Sequence, residues 1–169
     1  MVHYLDELDA AEVPVTHRIL AALGPKVMQL AADRTAGAHP YLTTPEHTRQ
    51  ARQILGPDEL LVPEQKVVLE TDPAAARAIG RPKVANPYLG LRNYTSNLKS
   101  LGWSERDLAD GGSDALIDAL VLRGDADTLV AGLRAHLAAG ADQVAIQLLT
   151  PPGADPVPGY TELARALFG

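Results

Sequence analysis

Between Arg18 and Leu42 the chain reads RILAALGPKVMQLAADRTAGAHPYL, and the spacing of its apolar residues changes twice. Arg18–Leu23 is an apolar run too short for a helix, and Gly24-Pro25 stops it. Over Lys26–Arg34 the apolar positions Val27, Met28, Leu30 and Ala31 fall at helical spacing. Gly37–Tyr41 begins a second extended run. The pattern predicts strand, tight turn, helix, strand: one βαβ unit.

The same alternation continues. Residues 1–15 form a lead-in, with Tyr4, Leu5 and Leu8 near helical spacing and Val13-Pro14-Val15 as a break. Thr44-Pro45-Glu46 starts a helix that Gly56-Pro57 ends. Leu60–Glu70 is a third strand with its core at Gln65–Leu69. Asp72-Pro73 opens a helix over Ala74–Ile79 that Pro82 should bend or interrupt. Asn86–Leu101 reads as a helix, and Ser104 caps a single turn. Ser113 or Asp114 opens a helix reaching Val121 or Leu122. Asp125 or Asp127 opens another, which Gly140 ends. Gln143–Leu149 is a fourth strand, and residues 150–169 are a proline-rich loop and closing helix. The fold class is therefore α/β: four parallel strands alternating with helices, with extra helices between strands three and four. One domain spans 1–169.

Composition narrows the function. A net charge of −6 without a basic stripe argues against nucleic-acid binding, and scattered Lys and Arg argue against a polybasic membrane patch. No apolar run approaches ~18 residues, so no membrane span is expected. The opening MVHYLDELDAA carries acidic residues where a signal peptide carries basic ones, so a soluble cytoplasmic protein is expected. Without cysteine, disulfides and thiolate chemistry are excluded. His17, His47 and His136 have no partner at ligand spacing, so no metal site is predicted. Asp110–Asp114 lacks the alternating carboxylates of a calcium loop. Nucleophile-elbow, Walker and dinucleotide motifs are absent.

The turn after the first strand carries the first candidate chemistry. Gly24 lets the backbone approach a ligand, Pro25 suits the first helical position, and the Lys26 and Val27 N–H groups should point out of the helix N-terminus. The helix dipole favours an anion there, with the Lys26 ammonium beside it. A plain βα turn explains the same residues.

The segments ILAALGPK, LAADRTAGAHPYLTTPEHT, LLVPEQKVVLETDP, NYTSNLKSLGW, DLADGGSDALIDALV and HLAAGADQVAIQLL follow one another over nearly the whole chain. Together they resemble the luciferase-like monooxygenase superfamily, and within it the bacterial F420-dependent oxidoreductases. Members use the deazaflavin coenzyme F420 or, alternatively, FMN. The resemblance implies the C-terminal half of a (β/α)8 TIM barrel, strands five to eight, with the cofactor at the C-terminal strand ends. It implies that Leu23, Gly24, Pro25, Lys26 and Val27 hold the phosphate-bearing tail, and that Pro40 and Tyr41 shape the cofactor wall. His39 becomes the candidate general acid or base. Gln147 becomes a candidate substrate contact, as a polar group inside the last strand that could face the lumen. Glu64 and Gln65 read as solvated, Lys66 and Glu70 as surface charges, and Trp103, Tyr88 and Tyr94 as packing or an oligomer face.

The implied activity is hydride transfer between F420 and a small-molecule substrate. The first half of such a barrel carries most ring-binding positions, and this chain does not resemble it. A half-barrel would expose strand edges and an apolar face. Self-association into a homo-oligomer, a partner chain supplying the first half, relaxation into an open doubly wound sheet, or a fragmentary reading frame would each account for that. A non-catalytic half-barrel interaction module and an FMN monooxygenase are the competing readings.

Overall fold

The computed structural model describes residues 1–169. Nine α-helices alternate with five short strands: α1 (Val2–Ala10), α2 (Pro25–Arg34), β1 (Gly37–Ala38), α3 (Pro45–Leu55), β2 (Leu60–Leu61), β3 (Glu64–Leu69), α4 (Pro73–Ala85), α5 (Arg92–Ser100), α6 (Glu105–Leu108), α7 (Asp114–Leu120), β4 (Val121–Gly124), α8 (Ala126–Ala138), β5 (Ala145–Leu148) and α9 (Val157–Phe168). Helix starts are fixed locally by side-chain caps. Thr44, Asp72, Ser113 and Asp125 each accept a backbone N–H from the first turn, and Ser104 and Asp107 form a reciprocal capping box.

All pairings between these strands are parallel. The Arg18–Leu23 run is extended and joins β1 through a single bridge at Leu20. There the Leu20 N–H donates to the Gly37 carbonyl (3.0 Å) and its carbonyl accepts from His39 N–H (2.9 Å). Leu60, Val62 and Glu64 donate to Ala36, Ala38 and Pro40, so β1 lies along the first half of the β2–β3 segment. β4 takes the same edge further on, opposite Lys66–Leu69, and β5 takes the other edge.

Helices cover both faces, as a parallel sheet requires. Val67, Leu122 and Leu148 pack with Leu129, Leu133 and Leu163 of α8 and α9, while α2 and α3 cover Leu20, Ala38 and Leu61 on the same side. Val68 and Val121 face the other way, into Ala76, Val84, Leu98, Leu116 and Leu120 of the helical insert between β3 and β4. On the α2/α3 side, Arg52 donates to the carbonyls of Gly140 (2.8 Å), Gly56 (2.6 Å) and Glu59 (2.8 Å) and pairs with Asp142 (2.6 Å).

Four local expectations need correction. Val121–Gly124 leaves the helix and forms β4, because pairing with β3 satisfies its backbone. Pro82 sits inside α4 without ending it; it falls in the last turn, where its missing N–H frees only one carbonyl. The expected helix over Asn86–Leu101 is divided, with a 3₁₀ turn at Tyr88–Gly90 after a cis Asn86–Pro87 bond and α5 beyond it. Gln65 and Lys66 are buried rather than solvated.

Candidate functional site

The C-terminal ends of the Arg18–Leu23 run and of β1 converge on an open cleft of ≈ 160 Å³. Ala21–Leu23 and His39–Tyr41 form its strand side, and Asn93 and Tyr94 of α5 form the other wall. His39 is half-buried. Its Nδ1 lies 2.6 Å from the Val62 carbonyl, which can only accept, so Nδ1 carries the proton and Nε2 is left as an acceptor. The imidazole meets the Tyr41 ring edge-on at 5.3 Å. An imidazole oriented by the Val62 carbonyl therefore borders the cleft.

The turn beside the cleft is open. A Cβ at Gly24 would meet nothing within 4 Å, and Lys26 is exposed with no salt-bridge partner. Only part of the predicted donor set is available, because the Val27 N–H already donates to the Gly24 carbonyl at 3.1 Å. Lys26 keeps its N–H outside the helix ladder. Leu23 is held from below: its carbonyl accepts from Nε2–H of His47 at 2.8 Å. His47 is buried, at 4% exposure, and burial lowers its pKa, which suits the neutral ring seen here.

Leu23, His39, Pro40 and Tyr41 thus come together in the cleft, and Gly24, Pro25, Lys26 and Val27 follow directly from Leu23. Gln147 stands apart. It lies on β5, opposite Lys66, and is exposed with no side-chain hydrogen bond.

The sequence reading missed the charged pair on β3. Lys66 is 3% exposed, and its ammonium donates to both Glu64 oxygens at 3.0 and 3.1 Å. It also lies 4.9 Å from the Tyr88 ring centroid, and Tyr88 packs edge-on against Tyr94 at 4.8 Å. Burial raises both phenols, Tyr94 to about 12 with smaller contributions from Tyr88, Tyr41 and Glu64. Periodicity held the clue: Glu64, Lys66 and Val68 share one face of a strand that a parallel sheet buries on both sides, so the charges had to pair.

On the opposite face, Gln65 accepts from His136 Nε2–H (2.8 Å) and donates to the Leu120 carbonyl (3.0 Å), while His136 Nδ1 accepts from the Thr48 hydroxyl (2.8 Å). Burial, and secondarily the nearby His47, push the His136 pKa down to about 4. This chain of bonds fastens α3, β3 and α8 to one another. No three His, Asp or Glu side chains gather in a metal-binding arrangement.

A parallel sheet wrapped by helices, with a cleft at its C-terminal strand ends, is the arrangement of many cofactor-binding α/β enzymes. Among solved structures, an F420-dependent secondary alcohol dehydrogenase in complex with an F420–acetone adduct superposes on the chain with a TM-score of 0.60 and 11% identity. The match covers 89% of this chain and 48% of that one, so the chain spans about half its length. At this identity the likeness is one of fold. No protein-family model and no curated protein matches the sequence.

Proposed function

We propose that the chain is an F420-dependent oxidoreductase of the luciferase-like class, built as the C-terminal half of a (β/α)8 barrel and completed by a second copy or a partner chain. The observation that carries this reading is the convergence of His39, Tyr41 and Leu23 on a cleft beside the open Gly24 turn. The resemblance in sequence motifs and the fold shared with the dehydrogenase support it.

The residues present fit such a cofactor at two points. The Gly24 turn has free space above its backbone, an unbonded Lys26 N–H and a lysine side chain, which together suit a phosphate. Tyr41, Tyr94 and Pro40 supply flat walls for a ring. When bound, the deazaflavin would supply hydride chemistry to or from a small organic substrate. The chain's own part is to orient the ring, hold the anionic tail and move a proton at His39 Nε2, whose role as acceptor is set by Val62.

Titration of the purified protein with F420 and with FMN, followed by fluorescence, tests this reading. Saturable binding of F420 in preference to FMN supports it, and FMN preference would instead indicate a flavin monooxygenase. Lys26→Ala should weaken F420 about tenfold, as loss of one phosphate contact would; unchanged affinity rejects the phosphate assignment. A second reading, a non-catalytic interaction module, is favoured by the apolar groove of ≈ 410 Å³ beside β5, where Phe168 is 86% exposed. Binding of neither cofactor by a stable dimer would decide for it.

A further inference from the structure

We infer that Glu64 and Lys66 are positioning residues of the cleft: their ion pair, set in the middle of the sheet with Lys66 buried and Glu64 half-buried, holds both of its walls at once. The inference rests on reading the cleft as the cofactor site.

One wall is fixed through Glu64. Its N–H donates to the Pro40 carbonyl at 2.8 Å, and its Oε2 accepts from the Leu42 N–H at 3.3 Å. Glu64 therefore grips the chain on either side of Tyr41. Leu42 needs that grip, because its φ of 56° is left-handed backbone that a leucine rarely adopts. The peptide that carries Tyr41 out of the strand is turned by this residue. The other wall is fixed through Lys66. Its ammonium caps the Tyr88 ring, Tyr88 supports Tyr94 edge-on, and Tyr94 lines the cleft. The route runs Leu42–Glu64–Lys66–Tyr88–Tyr94, from one side of the opening, down to β3, and up to the other.

Stability does not explain the pair. Burying two charges costs desolvation that their attraction roughly offsets, and apolar residues of similar volume commonly serve a core as well or better. What an apolar pair cannot supply is an acceptor for Leu42 and a cation for Tyr88 at fixed positions.

The test is the double variant Glu64→Leu/Lys66→Met, which removes both charges together, leaves neither orphaned and takes the acceptor away from Leu42. Three readouts are taken: thermal unfolding, ¹⁹F spectra of protein labelled with 3-fluorotyrosine and assigned by Tyr→Phe variants, and F420 affinity. The expected result is an unfolding midpoint at or above that of the parent. The Tyr41 and Tyr94 resonances should shift or broaden while Tyr4 and Tyr160 stay in place, and F420 should bind about tenfold more weakly. Unchanged Tyr41 and Tyr94 resonances in the folded double variant overturn the inference. Shifted resonances in a protein whose parent binds no F420 overturn only the cofactor reading. Should the double variant not fold, Glu64→Gln alone keeps an acceptor for Leu42 while loosening Lys66, and an unmoved Tyr94 resonance there overturns the inference equally.

Discussion

Lysine is stable inside a sheet only while its counter-charge stays with it. Lys66→Met alone leaves Glu64 charged at a site that is 13% exposed, and should cost about 3 kcal/mol in urea unfolding at neutral pH. His136 sets a dependence on pH. Its folded pKa of about 4 lies below the ordinary 6.5, so between these values the unfolded chain holds the extra proton. Stability is then fully present above pH ~6.5, falls as pH drops toward ~4, and levels below that, with a slope of about 1.4 kcal/mol per pH unit from this group. His47, lowered in the same direction, adds to the slope. Urea midpoints measured from pH 4 to 8 should show this decline, and His136→Gln should flatten it; an identical slope would place its origin elsewhere. At this scale the sequence is informative where a residue acts through its backbone, as at Gly24 and Pro25. It is uninformative where meaning depends on a distant partner: nothing near Lys66 in the chain announces Tyr88, and nothing near His136 announces Thr48.

Helix propensity and close packing pull in opposite directions in α8. Gly132 lies inside it, and alanine there would ordinarily gain about 1 kcal/mol. A Cβ at this position would come within 2.5 Å of Leu122 Cδ1 on β4, so Gly132→Ala should instead destabilise by about 1–2 kcal/mol, read as a lowered urea midpoint with unchanged slope. At the exposed side of β5, Tyr160 of α9 meets the outward backbone: its hydroxyl accepts from Leu148 N–H at 3.1 Å and donates to the Ile146 carbonyl at 3.4 Å. That single group answers the strand's free edge. Tyr160→Phe should cost about 1 kcal/mol and raise self-association in sedimentation velocity, and a monodisperse variant at all concentrations would refute the blocking role. Elements with caps and apolar spacing are legible in the sequence: α2, α3, α8 and the β3 and β5 segments fall where expected. β4 is not, because VLRG continues the apolar spacing of α7 and only its neighbour in the sheet makes it a strand.

Across the molecule, β3 is the shared member of two packed layers, Val67 turned to α8 and α9 and Val68 to the insert. The Val67 and Val68 amides should therefore exchange slowest with deuterium, and those of α1, whose one buried side chain is Leu5, among the fastest. Equal protection in both would contradict a core centred on β3. The alternation of strands and helices is readable from period alone. Strand adjacency is not, because two strands sharing one edge of a third leave no trace in local sequence. Pro63, between β2 and β3, has a consequence for how that arrangement is reached. It offers β5 a carbonyl, taken up by Ala145 N–H at 2.9 Å, but no hydrogen. Aligned as it is, the missing hydrogen falls opposite Gln143, where water can substitute. Slide β5 by two residues and the gap falls opposite Ala145 instead, starving a carbonyl inside the ladder. The imino ring thus acts as a stop on one side, keeping the last strand from slipping in that direction.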